Sequence, residues 1–354
     1  MLTAYAVQFL TNASLMVVIV YIPLLARGYG ANSQQIGLLV ACYQAMTLVS
    51  SIVFGRWGDY GDRKKFVVAG LVAATVALAL HTFARNLGGL FAARALAGAC
   101  VGIFPAALMA YFYNRSKLLG RYTGFGALGW GIGALTLGML RPDWVFPAAA
   151  VLMAATVVFA WVGLKHEHVR LEQPFLDMRV LRRSWPIYLS FLLRHVGAFS
   201  IWSMFPVFLA DLGASRLWVG IVFAINPFGQ VLFMNLLERA GERMLIILGF
   251  VLSALVFFSF GLVTSFKQVV PIQIVLALSW SCLYLGSLRE LMRVNPERST
   301  AAGMFQSVLS LSAVGGALLL GLTGGFGYRT VMFVAAGLAV AGGILHLAVR
   351  PRRV

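Results

Sequence analysis

Long apolar runs separated by short polar ones fill this chain from end to end. Twelve of them reach roughly the 20 residues that a helix needs to cross a hydrocarbon core about 30 Å thick. Their spans are 4–26, 33–54, 66–84, 88–112, 122–140 and 143–164, then 185–210, 214–236, 244–264, 267–290, 299–322 and 328–348. Twelve such helices in 354 residues leave almost no room for an extramembrane domain. The pattern predicts an all-α integral membrane protein with twelve transmembrane helices.

The longest polar stretch, 165–184, has six predicted helices on either side. It therefore reads as a central loop between an N-terminal bundle, 1–164, and a C-terminal bundle, 185–354. The halves echo one another. Tyr21-Ile22-Pro23, Gly30-Ala31 and Gly37 recur as Met204-Phe205-Pro206, Gly213-Ala214 and Gly220, at a constant offset of 183 residues. Proline and glycine coinciding at fixed spacing point to a duplicated six-helix unit and two pseudo-symmetric bundles.

Composition agrees. Hydrophobic residues are 60% of the chain and charged ones 11%, against about 25% charged in a soluble domain. The net charge of +17 is a topology signal rather than a mark of nucleic-acid binding. With the N-terminus inside, 20 of the 28 Lys and Arg residues fall in inner segments and 6 in outer loops. That asymmetry places both termini in the cytoplasm of a plasma-membrane protein, with anionic lipid headgroups as contacts. The start, Met1-Leu2-Thr3-Ala4-Tyr5, lacks a basic signal-peptide region and is expected to stay as helix 1. Cys42, Cys100 and Cys282 lie in predicted helices without a Cys-x-x-Cys pair, so they read as packing residues and no metal is expected. No Gly-x-x-x-x-Gly-Lys-Ser/Thr motif is present, which argues against ATP-driven work, and no cofactor is implied.

One loop is distinctive. Gly55-Arg56-Trp57-Gly58-Asp59-Tyr60-Gly61-Asp62-Arg63-Lys64-Lys65 joins predicted helices 2 and 3. Its glycines permit a tight turn and close approach of two helix ends. The run resembles the loop between helices 2 and 3 of the major facilitator superfamily, with Gly55, Asp59, Arg63 and Lys64 at matching positions and Tyr60 and Asp62 departing from the pattern. Leu237–Arg243 is a degraded second copy that keeps Gly241, Glu242 and Arg243. Arg94, Gly98 and Gly102, spaced by four, are similar to that family's membrane-embedded arginine and spaced glycines. The glycine-rich helix 5, Gly124 to Gly138, resembles that of its antiporters without their Gly-Pro step. The resemblance implies the two-bundle fold of that superfamily, alternating access, and a conformational latch at Gly55, Asp59, Arg63 and Lys64. Asp59 is expected near the start of predicted helix 11, around Ser299, where the partial positive charge of a helix end favours a carboxylate.

A transporter of this kind binds its solute near the bilayer midplane, so polar groups at helix centres are the candidates. Arg194 leads. At about 1.5 Å per residue from residue 185 it lies roughly 13 Å deep. His195 follows it, rotated by about 100°, and shares a helical face with Phe199 and Trp202. Arg94 is a second embedded cation. Asn12 coincides with His195 under the repeat offset, Asn226 and Gln230 share a face, and Trp280 adds an aromatic surface. Gln44, Trp130, Tyr284 and Gln306 extend the polar, aromatic set. The eleven carboxylates lie in loops or near helix ends. Positive or neutral interior groups favour an anionic or zwitterionic organic solute over a cation, and leave proton coupling to a histidine. The expectation is a monomeric secondary transporter of a small organic solute, with a proton or counter-solute as coupling partner. Two alternatives stay open: a multidrug or lipid-like exporter of the same fold, and an intramembrane enzyme. The enzyme lacks His-Glu-x-x-His and Gly-x-Ser-x-Gly motifs.

Overall fold

A computed structural model describes residues 2–58, 61–116, 119–168, 178–237, 240–295 and 298–349. Thirteen α-helices make up almost all of these residues. They are α1 (Leu2–Gly28), α2 (Ser33–Gly58), α3 (Arg63–Leu80), α4 (Leu87–Val101), α5 (Pro105–Ser116), α6 (Leu119–Met139) and α7 (Val145–Gly163). Then follow α8 (Met178–Asp211), α9 (Arg216–Leu236), α10 (Glu242–Leu262), α11 (Phe266–Val294), α12 (Arg298–Thr323) and α13 (Tyr328–Ala348). Among the described residues nine helices are long and apolar enough to cross a membrane, and two apolar helices are shorter.

Two predicted spans are corrected. The fourth, 88–112, is not continuous: it breaks between Val101 and Pro105 into α4 and α5. Pro105 lacks a backbone N–H and disfavours the helical conformation in the residue before it. The seventh begins at Met178, inside the stretch expected to be loop. Met178–Ser184 reads as polar because of Arg179, Arg182 and Arg183, yet Val180 and Ser184 are buried. Asn295 donates to the Ser184 hydroxyl at 2.7 Å, which anchors this added turn.

The chain divides into two compact units, and each exchanges a segment with the other half of the sequence. One holds Met1–Ala31, Cys42–Glu172 and Ala214–Phe228; the other holds Asn32–Ala41, Gln173–Gly213 and Gly229–Val354. Inside the first, α1 packs on α6 and α7, and α3 on α4 and α7. Inside the second, α8 packs on α12 and α13, and α10 on α11 and α13. The two packing schemes correspond helix for helix, as a duplicated unit requires.

The positions that carried the echo have matching structural work. Pro23 and Pro206 lie within α1 and α8. Gly30 and Gly213, just past the ends of those helices, take left-handed φ values of 82° and 84°, where a side chain would strain the backbone. Gly37 faces the backbone of α12 at Gly321, and Gly220 faces that of α6 at Ala134.

The distribution of side chains suits lipid. On α7, Val151, Val158 and Val162 are exposed, and on α3 so are Val72 and Val76. Serines and arginines such as Ser14, Ser253, Arg94 and Arg194 are buried. Apolar residues outside and polar groups inside is the arrangement of a bundle in hydrocarbon.

Candidate functional site

Arg194 and His195 occupy the middle of α8, where α10 and α11 meet it. Gly249 allows that meeting, because a methyl group there would lie 2.7 Å from the Leu283 nitrogen on α11. The close approach lets Ser253 of α10 and Ser279 of α11 bond at 2.7 Å. Both hydroxyls lie on the Gly249 carbonyl, at 2.7 and 3.1 Å. Arg194 Nε donates to the Ser253 hydroxyl at 2.8 Å. Helix carbonyl density thus reaches the guanidinium through serine oxygens.

The cation is 1% exposed, and its Nη2 has no hydrogen-bond partner among the described residues. Its guanidinium carbon lies 5.1 Å from the Phe257 ring centroid and 5.5 Å from that of Trp280. Aromatic faces are favourable neighbours for a desolvated cation. Among the described residues Arg194 has no ion pair with a carboxylate.

His195 is fixed on three sides. Its ring stacks on Trp280 at 4.8 Å, meets Phe199 edge-on at 5.0 Å and contacts Phe191 at 5.3 Å. Arg194 Nη1 reaches its Nδ1 at 3.3 Å, although the two Cα–Cβ bonds point apart. Trp280 continues the stack to Tyr284 at 5.4 Å, whose hydroxyl accepts from Gln306 at 3.3 Å. Phe191 packs on Phe305 at 4.5 Å. The product is an aromatic wall with one positive charge behind it.

Other predicted residues lie elsewhere. Asn12 bonds the Gln8 carbonyl at 2.7 Å and accepts from the Trp130 indole. Arg94 lies over the Tyr43 ring, 3.7 Å from its centroid. Gly98 and Gly102 press against the α2 carbonyls of Tyr43 and Thr47, so the spaced glycines and the arginine serve one α2–α4 interface. Asn226 is buried and Gln230 half-buried, one turn apart on α9. Arg194, His195 and Trp280 are therefore brought together. Arg94 and Asn12 are each held within the other unit.

Residues 4–229 match the family model of the Major Facilitator Superfamily. The chain belongs to this superfamily. It is a multi-pass membrane protein and a secondary transporter, not an enzyme. Multidrug resistance protein 2 of Bacillus subtilis is 24% identical, over 82% of this chain and 80% of its own length. The multi-drug resistance efflux pump PmrA of Streptococcus pneumoniae is 22% identical, over 94% and 91%. Among solved structures, a bacterial homologue of the human lysosomal transporter Spinster, inward-facing and occupied, gives a TM-score of 0.82 at 14% identity, covering 98% of this chain and 95% of that one. The nucleoside transporter NupG gives 0.78 at 15%, covering 98% and 99%. At these identities the likeness establishes the fold alone.

Of the superfamily's loop positions, Gly55 lies in α2 and Asp59 lies outside the described residues. Arg63 and Lys64 open α3, and Asp62 caps it, accepting from the Lys64 backbone N–H at 3.1 Å. Asp62 does more. Its Oδ2 lies 2.5 Å from His166 Nδ1, while Oδ1, the oxygen that caps α3, also receives the Glu167 N–H at 3.4 Å. Arg63 pairs with Glu167 at 2.7 Å, Arg115 with the same carboxylate at 3.4 Å, and the Arg63 N–H bonds the Glu167 carbonyl at 3.0 Å. The segment following α7 is thereby clipped to the start of α3. Sequence reading missed Asp62 and Glu167, although an aspartate directly before a helical apolar run is a capping signal.

Burial alone would raise the Asp62 pKa, but the bonds from His166 and from the Glu167 and Lys64 amides outweigh it and hold it below the ordinary range. A lowered folded-state pKa contributes stability that is complete above the unfolded value, about 3.9 for aspartate, and is lost as pH falls through the folded one. Asp62 therefore keeps the clip closed throughout the neutral range. Asp62→Asn is expected to speed hydrogen exchange of the Glu167 amide at pH 7 at least tenfold, as loss of about 1.5 kcal/mol from a charged hydrogen bond requires. Unchanged exchange there would remove Asp62 from the clip.

Proposed function

We propose that this transporter moves small amphipathic organic solutes that join an aromatic or apolar body to an anionic group, and that it does so by alternating access. The observation that supports this most is the buried Arg194 charge, without a carboxylate partner among the described residues, behind the His195–Trp280–Tyr284 wall. Aromatic faces suit the body of such a solute. An uncompensated cation in a low-dielectric interior favours an anion nearby and opposes another cation. The names of the relatives, which are multidrug resistance proteins, favour export and a second reading in which neutral drug-like compounds also bind.

In this reading the sequence halves 1–164 and 185–354 act as the two moving bundles, joined by 165–184. Gly55, Asp59, Arg63 and Lys64 latch them, Arg94 steadies the first bundle, and Asn12, Asn226 and Gln230 orient the solute. The basic asymmetry favours a cytoplasmic position for both termini, so an impermeant reagent should label a cysteine placed at Arg85 in intact cells. Failure to label it would reverse the orientation.

Binding is tested on purified protein with matched aromatic compounds that differ only in bearing a carboxylate, a neutral amide or an amine. The carboxylate is expected to give the largest thermal stabilisation and the amine none. A preference for the amine would overturn the reading.

A further inference from the structure

Arg194 and His195 are adjacent in sequence, and their contact has a chemical direction. Every polar hydrogen of a guanidinium is a donor and it offers no acceptor. The 3.3 Å contact from Arg194 Nη1 to His195 Nδ1 therefore requires Nδ1 to accept. An imidazole whose Nδ1 accepts is neutral and carries its proton on Nε2. The doubly protonated ring would set an N–H against an N–H of a second cation, inside a nearly dry interior.

The surroundings supply no group that would reverse this assignment. Among the described residues no carboxylate pairs with His195, and the charged group that touches it is the Arg194 guanidinium. From α11 the ring meets Trp280, and from its own helix Phe191 and Phe199. From α10 the Ser253 hydroxyl bonds Arg194 rather than the imidazole. From α12 this turn of α8 meets the backbone at Gly315 and Gly316, and from α13 it meets Ala335. Nε2 makes no hydrogen bond among the described residues, and it is absent from their fully enclosed, unpartnered polar atoms. His195 keeps 7% of its surface exposed.

We propose that Arg194, besides supplying the positive charge, positions His195: it holds the imidazole neutral with its proton on Nε2, so that His195 meets the solute as a fixed hydrogen-bond donor to a carboxylate or carbonyl oxygen. This rests on the reading of the aromatic wall as the solute-binding surface. It also removes His195 from the groups that carry a coupling proton. Specificity follows, because a fixed donor selects solutes that present an oxygen acceptor and leaves an ammonium unpaired.

Nitrogen-15 NMR of histidine-labelled full-length protein in nanodiscs reads the tautomer directly, with the His195 signals assigned by their loss in His195→Gln. The expected spectrum shows protonated Nε2 and bare Nδ1, unchanged from pH 5.5 to 7.5, across the ordinary histidine pKa of about 6.5. Protonated Nδ1, or an imidazolium appearing in that window, overturns the proposal. Arg194→Leu should release the ring to titrate or mix tautomers, while Arg194→Lys, which keeps a donor, should preserve the Nε2–H form. Should the leucine variant fail to fold, the wild-type and lysine spectra decide alone.

A second arm tests contact with solute. Glutamine at 195 places an amide N–H near the position of Nε2, whereas asparagine places it near Nδ1. His195→Gln is expected to bind the aromatic carboxylate within about tenfold of wild type, and His195→Asn to lose about 100-fold, the span of a hydrogen bond to a charged group. Equal, undiminished binding by both variants overturns the donor role. A wild-type protein with the expected tautomer that binds no compound of the panel contradicts the proposed function instead.

Discussion

Arg194→Gln is expected to weaken binding of the aromatic carboxylate about 100-fold and to leave the protein folded. The charge supplies the attraction, and an interaction with a charged partner in a buried place accounts for about 1.5–3 kcal/mol. Glutamine keeps a donor within reach of the Ser253 hydroxyl that now receives Arg194 Nε at 2.8 Å. Folding should survive, because an ion without a full partner carries a desolvation cost that a neutral residue escapes. Arg194→Lys should fall between, since it retains the charge and loses the planar fork. Titration of each variant by isothermal calorimetry, with melting temperature measured alongside, separates the two effects. Wild-type affinity in Arg194→Gln would make the cation a structural bolt between α8 and α10.

The second large effect concerns folding. A side chain at Gly129 of α6 would collide with the Phe9 carbonyl oxygen of α1, and one at Gly133 with that of Ala13. These are backbone atoms within a helix, so they cannot rotate aside; the two helices must separate. Gly129→Val is expected to cost 3 kcal/mol or more, at or above the upper end of ordinary overpacking. The yield of monodisperse protein in fluorescence-detected size exclusion should collapse. Gly124 on the same helix has nothing within 4 Å of an added methyl group. Gly124→Ala should therefore be neutral, or stabilising by about 0.5–1 kcal/mol. Similar losses in both variants would mean that the glycines act through backbone flexibility and not through contact.

Much of this architecture was legible in the chain because lipid imposes one simple rule, an apolar run for every crossing. The runs 4–26 and 328–348 match α1 and α13 within two residues. The repeat was legible for a different reason. Pro23, Gly30 and Gly37 answer to backbone geometry, so they persist at their 183-residue offset where ordinary apolar residues drift. The rule fails at Pro105, where hydropathy is blind to a missing N–H. It fails again at Met178, where three arginines hide a helical turn.

The candidate site was half legible. Arg194 and His195 stand out because a polar pair in the middle of an apolar run is costly. Ser253 and Ser279 do not, since isolated serines are common in membrane helices and their pairing depends on the close approach at Gly249. The direction of the Arg194–His195 contact was equally hidden. Helical periodicity sets the two Cα–Cβ bonds about 100° apart and says nothing of a long guanidinium folding back. The pattern left proton coupling to a histidine; the acceptor role of Nδ1 argues that His195 is not that histidine.

Flux through the purified protein tests the central claim most directly. In proteoliposomes loaded with unlabelled aromatic carboxylate, the protein should take up the radiolabelled compound saturably and without ATP. Excess carboxylate should compete, the matched amine should not, and Arg194→Gln should reduce the uptake. Uptake no greater than that of protein-free liposomes, or competition by the amine alone, would contradict the account.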